Sequence, residues 1–205
     1  MSDPRTRLVA AGYDAMADTW EDWSSQVTDD PRHDWLEELL PLLPPDARVV
    51  ELGCGNGTRE THELAMHTHL TCVDLSEEQL RRARERVPDA EFVHGDLTTI
   101  EFDAGSFDAV AAFYVLNHVP RELLPGLFAR IHRWLRPGGL LLTTLGAGDL
   151  DGWEGEWLGV RMYFSGHDPA RNRELLAAFE LVDDEVVTIH EPEGDVAFHW
   201  ILARR

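Results

Sequence analysis

VVELGCGNGT occupies residues 49–58. An apolar run ends at Glu51, and Gly53, Gly55 and Gly57 follow at alternate positions. Glycines directly after a strand permit dihedrals that other residues avoid and let a ligand come close to the backbone. ARVVEL (47–52) predicts that strand, and TRETHELAMH (58–67) predicts a helix after the loop. The alternation continues outward. LTCVDL (70–75) predicts a second strand, and Ser76 with Gln79 predicts a capping box for a helix over 77–87. AEFVHGD (90–96) is a third strand. FDAVAAFYVL (107–116) is a fourth, apolar throughout and so expected to be buried on both faces. Leu123, Leu124, Leu127, Phe128, Ile131, Trp134 and Leu135 form a helical stripe, and RPGG (136–139) turns into LLLTTL (140–145), a fifth strand. Strands alternating with helices predict a parallel sheet with right-handed crossovers.

The ends differ from this pattern. Tyr13, Met16, Trp20 and Trp23 recur at helical spacing, and Asp30-Pro31 predicts a helix start. Trp35, Leu36, Leu39 and Leu40 are that helix's stripe, and PLLPP (41–45) stops it. Residues 1–45 are therefore expected to form a helical lid on a core of 46–205, within one domain. Asp168-Pro169 caps a helix predicted to end near Phe179. LVDDEVVTIH and DVAFHWILARR flank EPEG and predict a hairpin whose last strand enters the sheet antiparallel.

Composition excludes several classes of function. The 205 residues hold 38 acids against 18 bases, a formal charge of -20, and every base is Arg. Without lysine there is no Schiff-base chemistry. The acidity argues against a nucleic-acid footprint and against an anionic membrane surface. No stretch has the length of a membrane span or a signal-peptide core. Cys54 and Cys72 make neither a disulfide framework nor a metal motif, so a reduced, cytoplasmic setting is expected. His62 and His67 are spaced wrongly for one helix face, so no metal is expected. The arginines at 81, 82, 84 and 86 follow Glu77 and Glu78, which predicts salt-bridged helix faces and not an RNA surface.

In a parallel sheet, ligands sit beyond the carboxyl ends of the strands, where strand order reverses. An acid at the end of the second strand then meets ribose hydroxyls, and Asp74 fits that place. The loop and the acid together point to an adenosyl group. A dinucleotide loop needs G-x-G-x-x-G/A, whereas this loop is G-x-G-x-G with Thr58 next.

These blocks resemble the Rossmann-like S-adenosylmethionine-dependent methyltransferases. VVELGCGNGT resembles the family's first motif, which implies that Glu51, Gly53, Cys54 and Gly55 border the cofactor. CVDLSEEQL is similar to the second block, with Asp74 on the ribose and Leu75 beside adenine. HGDL (94–97) is similar to the third, implying Asp96 at the adenine amino group and Leu97 on the ring. FDAVAAFYVLNHV resembles the fourth block, with backbone near Phe113 at the methionine end. YDAMADTW resembles the N-terminal helix, adding Tyr13 and Trp20 to the cofactor set. LRPGGLLLTT is similar to the turn and fifth strand. AAFELV (177–182) departs from the usual Ala-Gly-Phe, which touches packing more than chemistry. The resemblance implies a doubly wound, seven-stranded, mostly parallel α/β sheet with an antiparallel strand from the C-terminal hairpin. It also implies S-adenosyl-L-methionine as cofactor and a small-molecule methyl acceptor, with the protein a monomer or homodimer.

Methyl transfer needs donor and acceptor held in line, and a base only where the acceptor carries a proton. His118 in LNHV is the candidate base; a hydrogen-bonding histidine that orients the loop is the alternative. Tyr114 is a candidate for the acceptor pocket, as is His167 in SGHDP. GDLDGWEGEWLGVRMYF (148–164) follows the fifth strand, and its Trp153 and Tyr163 are candidates for a pocket roof shared with the N-terminal aromatics. Two other classes stay beside this reading. A nicotinamide-dependent oxidoreductase shares the sheet and Asp74, and a non-catalytic binding protein shares the fold.

Overall fold

The computed structural model describes residues 3–205. Seven strands form one sheet: β1 Arg48–Leu52, β2 His69–Asp74, β3 Glu91–His94, β4 Phe107–Ala112, β5 Leu135–Gly146, β8 Glu180–Glu191 and β9 Gly194–Arg204. Their spatial order is β3-β2-β1-β4-β5-β9-β8. The first five pair in parallel; β9 runs antiparallel to both β5 and β8, as the EPEG hairpin predicts. From β1 the chain winds outward through β2 and β3, then restarts at β4 on the other side. The strand order therefore reverses between β1 and β4, where this architecture leaves a crevice.

The central strands are buried on both faces, so their side chains alternate between two apolar layers. Val50, Leu52, Val110 and Leu141 meet α6 (Leu124–Trp134) through Leu127, Phe128, Ile131 and Trp134. Val49, Ala109, Leu142 and Trp200 meet α3 (Arg32–Leu39) and α4 (Arg59–His67), and Leu80 of α5 (Glu77–Arg86) joins that layer. Trp35 of α3 stacks on Trp200 at 5.8 Å. α3 is thus packed in the sheet's helical layer with its first residue, Arg32, at the crevice, and the first two helices stand over it.

Those two are α1 (Pro4–Ala15) and α2 (Ala17–Ser24), separated by a break at Met16 (φ -103°). Asp3 caps α1 by accepting from the Arg5 amide at 2.8 Å. The segment 148–164, left without assigned structure by the sequence, holds most of a two-stranded antiparallel ribbon, β6 Leu150–Trp157 and β7 Val160–Gly166. α1 lies directly on it: a Cβ on Gly12 would fall 2.4 Å from the Met162 sulfur. α7 (Pro169–Leu175) begins at Asp168, which accepts from the Arg171 amide at 2.9 Å, and ends four residues before Phe179.

Candidate functional site

The glycines of the opening stretch do different work. All three have positive φ: 74° at Gly53, 55° at Gly55 and 76° at Gly57. A Cβ on Gly53 would stand 2.4 Å from Val115, so the loop after β4 closes against the loop after β1. A Cβ on Gly57 would crowd Ala83 of α5 and Val87 just past its end, at 3.1 Å from each. Gly55 alone of the three has room for a Cβ, which would meet only the Trp20 ring at 3.7 Å, and it borders a cavity of 520 Å³.

That cavity lies across the carboxyl ends of β1, β2, β4 and β5. Gly53, Cys54 and Gly55 line it after β1; Asp74 and Leu75 after β2; Asp96 and Leu97 after β3; and Phe113, Tyr114 and His118 after β4. Glu51, Tyr13 and Trp20 complete the set of sequence candidates that the fold brings together. Asp74 accepts from the Gly55 amide at 2.8 Å and the Ser76 amide at 2.9 Å, one bond to each carboxylate oxygen. Burial raises its pKa, and these amides oppose the shift. Asp96 accepts from the amide and hydroxyl of Thr98, which fixes the turn after β3. Cys54 and Cys72 are buried free thiols.

Several buried polar atoms on this cavity have no partner among the described residues. Glu51 Oε1 accepts from Thr61 at 3.2 Å, but Oε2 is unpartnered, and burial pushes the carboxyl's pKa up to about 7. The Gln79 amide is unpartnered at both ends, and so is Asn117 Oδ1. Unpaired buried polar groups cost about 1–3 kcal/mol each, so their convergence on one cavity points to a polar ligand. The capping box is corrected here. Ser76 Oγ accepts from the Gln79 backbone N–H, but the Gln79 side chain lines the cavity and returns no bond. Gln79, Asn117 and Arg32 escaped the sequence reading. Only the unfulfilled hydrogen bonds of the first two reveal them, and those exist only in the folded chain.

His118 sits in a closed relay. Its Nδ1 is 3.0 Å from the Tyr163 carbonyl, which can only accept, so Nδ1 carries the proton. Its Nε2, 2.8 Å from the Tyr13 hydroxyl, then accepts from it. Burial lowers the histidine to about 4 and raises the tyrosine, so both are neutral at pH 7. Tyr114, at φ 54°, donates its hydroxyl to Asp30 at 2.9 Å, and the Arg32 guanidinium lies over its ring. Arg32 pairs with Asp30 at 2.8 Å and also lines the cavity.

The aromatic rings form a continuous arch above this floor. Trp23 meets Trp157 at 5.1 Å, Trp157 meets Phe164 at 5.4 Å, and Phe164 meets His118 at 4.6 Å. His118 meets Tyr13 at 5.3 Å, and Tyr13 meets Trp20 at 6.2 Å. Three sequence candidates stay outside. Trp153 is 41% exposed and touches only Phe164 of this set, from beyond the cavity. The Tyr163 side chain faces the other side of the ribbon from Phe164, as neighbouring strand residues must, and lies beneath Arg5. Its carbonyl alone reaches the site, through His118. His167 precedes the α7 cap and is absent from the cavity wall. Among the described residues no group of His, Cys, Asp and Glu side chains could hold a metal, and no helix is long and apolar enough to cross a membrane.

Comparison with known proteins agrees with the architecture. Residues 49–139 match the family model described as a methyltransferase domain. The chain is 30% identical over 163 residues to 27-O-demethylrifamycin SV methyltransferase of Amycolatopsis mediterranei, covering 69% of this chain and 59% of that one. It is 30% identical over 141 residues to demethylmenaquinone methyltransferase of Clavibacter sepedonicus, covering 65% of this chain and 56% of the relative. It therefore spans little more than half the length of these curated relatives. Among solved structures, the 1,6-didemethyltoxoflavin-N1-methyltransferase of Burkholderia thailandensis, with 1,6-didemethyltoxoflavin and S-adenosylhomocysteine bound, superposes with a TM-score of 0.71. The two share 24% identity over 95% of this chain and 84% of that one. The glycine loop at the strand-order reversal, the acid at the end of β2, the antiparallel terminal strand and these matches converge: residues 49–139 match a methyltransferase domain, and the fold and motif set of the chain are those of the Rossmann-like, class I S-adenosylmethionine-dependent methyltransferases.

Proposed function

We propose that this protein transfers a methyl group from S-adenosyl-L-methionine to a small-molecule acceptor. The observation that carries the reading is the set of unpartnered buried atoms, Glu51 Oε2, the Gln79 amide and Asn117 Oδ1, on the same cavity as Asp74. An adenosyl amino acid offers ribose hydroxyls to Asp74, whose two oxygens each accept one backbone amide and have room for a second donor, and an ammonium to the unpartnered Glu51 Oε2. The bound cofactor supplies a methyl already activated on a sulfonium. The protein's part is then to bind, orient and exclude water.

In this reading Asp74 holds the ribose, Leu75 and Leu97 flank the adenine, and Asp96 meets its amino group. Glu51 holds the ammonium, Gly53, Cys54 and Gly55 give the backbone edge, and Phe113 borders the methionine end. Tyr13 and Trp20 cover the cofactor, and Tyr114 borders the acceptor. Where the acceptor bears a proton, the Tyr13 hydroxyl takes it as its own passes to His118 Nε2. Residues 4–24 act as the lid. A reduced cytoplasmic setting suits the two free thiols, and the enzyme works as a monomer or homodimer.

The test is calorimetric titration with S-adenosylmethionine, S-adenosylhomocysteine and NADH separately. Saturable binding of the first two, lost in Asp74→Ala, is expected. Binding of NADH alone would establish the oxidoreductase reading instead. Cofactor binding without turnover on any acceptor would leave the binding-protein reading.

A further inference from the structure

The cavity has two unlike ends. The end over the glycine loop carries Asp74 and Glu51, whose proposed partners belong to the cofactor. The other end is walled by Val27, Ile189, Val196 and Phe198, with Trp23 and Tyr114 beside them. One carboxylate, Glu191, enters that wall at the last residue of β8.

The charged groups around Glu191 are already engaged. Asp30 is held by Arg32 and the Tyr114 hydroxyl, and Asp149 by Arg121 at 2.5 Å. Glu193 accepts from the Trp23 indole at 2.6 Å, and His190 pairs with Asp29 and Asp195. Glu191 has no hydrogen bond or ion pair from its side chain to any described residue. It lines the same cavity as Tyr13 and Tyr114, and its charge adds to the rise in both hydroxyl pKa values, which burial dominates. Burial, with Glu193 nearby, pushes its pKa up to about 7.

We propose that this end of the cavity takes an amine: an ammonium on a small apolar or aromatic body, its charge met by Glu191 and flanked by the rings of the wall. The proposal rests on the methyltransferase reading and names its acceptor class. A carboxylate acceptor would meet Glu191 with like charge. Among the described residues the one cation lining the cavity, Arg32, is already engaged by Asp30 and the Tyr114 ring. A neutral alcohol would leave Glu191 without a counter-charge. An ammonium supplies that charge, and aromatic faces add to its binding.

The test titrates protein saturated with S-adenosylhomocysteine with three probes of one skeleton: 2-phenylethylamine, 2-phenylethanol and 3-phenylpropanoate. The amine should bind at least tenfold tighter than either of the others. Glu191→Gln should erase that preference without changing the affinity for S-adenosylhomocysteine, and Glu193→Gln should keep the preference. Equal or tighter binding of the alcohol or acid, no binding of the amine, or a preference that survives Glu191→Gln would overturn the proposal. Failure of S-adenosylhomocysteine itself to bind would instead overturn the methyltransferase reading beneath it. Melting curves of both variants report folding independently.

Discussion

Glu51 sits near the end of a buried strand with one oxygen accepting from Thr61 and the other unpartnered among the described residues. In the unfolded chain its carboxyl loses the proton near 4.5, and in the folded chain near 7. The folded state binds that proton more tightly. The group's contribution to stability is therefore full below pH 4.5 and is lost as pH rises through 7, on the order of 3 kcal/mol in all. Glu51→Gln keeps the Thr61 bond and removes the titration. It should melt above the parent at pH 8 and close to it at pH 5, and it should weaken S-adenosylmethionine binding about tenfold or more. Melts at the two pH values and one titration check this. A higher melting point without lost affinity would remove Glu51 from the cofactor site. His118 titrates with the opposite slope: buried neutral at about 4 against 6.5 unfolded, it costs stability as pH falls from 6.5 to 4. His118→Gln should flatten that acid limb in the same melts. At this scale the sequence was legible where chemistry follows a motif, as at Asp74. It was silent where a role depends on a bond left unmade, as at Gln79 and Asn117.

The strands and helices of the sheet were readable because each has its own period and its own punctuation. The last strand's direction followed from one Gly-containing turn. The ribbon was not readable, and its turn explains why. Leu158 and Gly159 both have positive φ, 51° and 79°, which is the geometry of a two-residue hairpin turn usually written Asn-Gly or Asp-Gly. A leucine hides that signal, and packing beside Met162 and Tyr163 holds it in place. The break between α1 and α2 was hidden similarly, since Met16 fits the helical spacing and ends the helix all the same. The glycine loop gives the sharpest prediction at this scale. Gly53→Ala adds a methyl 2.4 Å from Val115 at a φ of 74°. The left-handed backbone alone costs about 1–2 kcal/mol, and the clash adds to it. Val115→Ala in the same chain should recover only the clash. Denaturant melts of the single and double variants separate the two parts, and full recovery would mean that the backbone carries no strain there.

Across the whole molecule, an acidic chain uses its few arginines to pin the helices over the cavity. Arg82 reaches from α5 to Asp18 at 2.5 Å and Glu21 at 3.1 Å on α2, and Arg86 reaches Glu21 at 2.5 Å. Arg5 joins α1 to Glu122 at 2.5 Å, and Asp14 accepts from the Ser76 hydroxyl at the start of α5. Pairs this exposed contribute about 0–1 kcal/mol each, far less than the apolar layers beneath the sheet. The cover is held by these surface pairs and one small apolar cluster around Val9, Met16 and Met162, which makes it the part expected to open for a ligand. Hydrogen exchange should show α1, α2 and the ribbon exchanging faster than β1, β4 and β5 in the free protein. S-adenosylhomocysteine should slow those segments and leave the central strands unchanged. Arg82→Ala should speed exchange in α2 and weaken S-adenosylhomocysteine binding severalfold, with the core strands still protected. Slowing spread evenly over the sheet, or an α2 as protected as β4 without ligand, would mean that the aromatic arch and not the ion pairs holds the cover, and that the cavity fills without its opening.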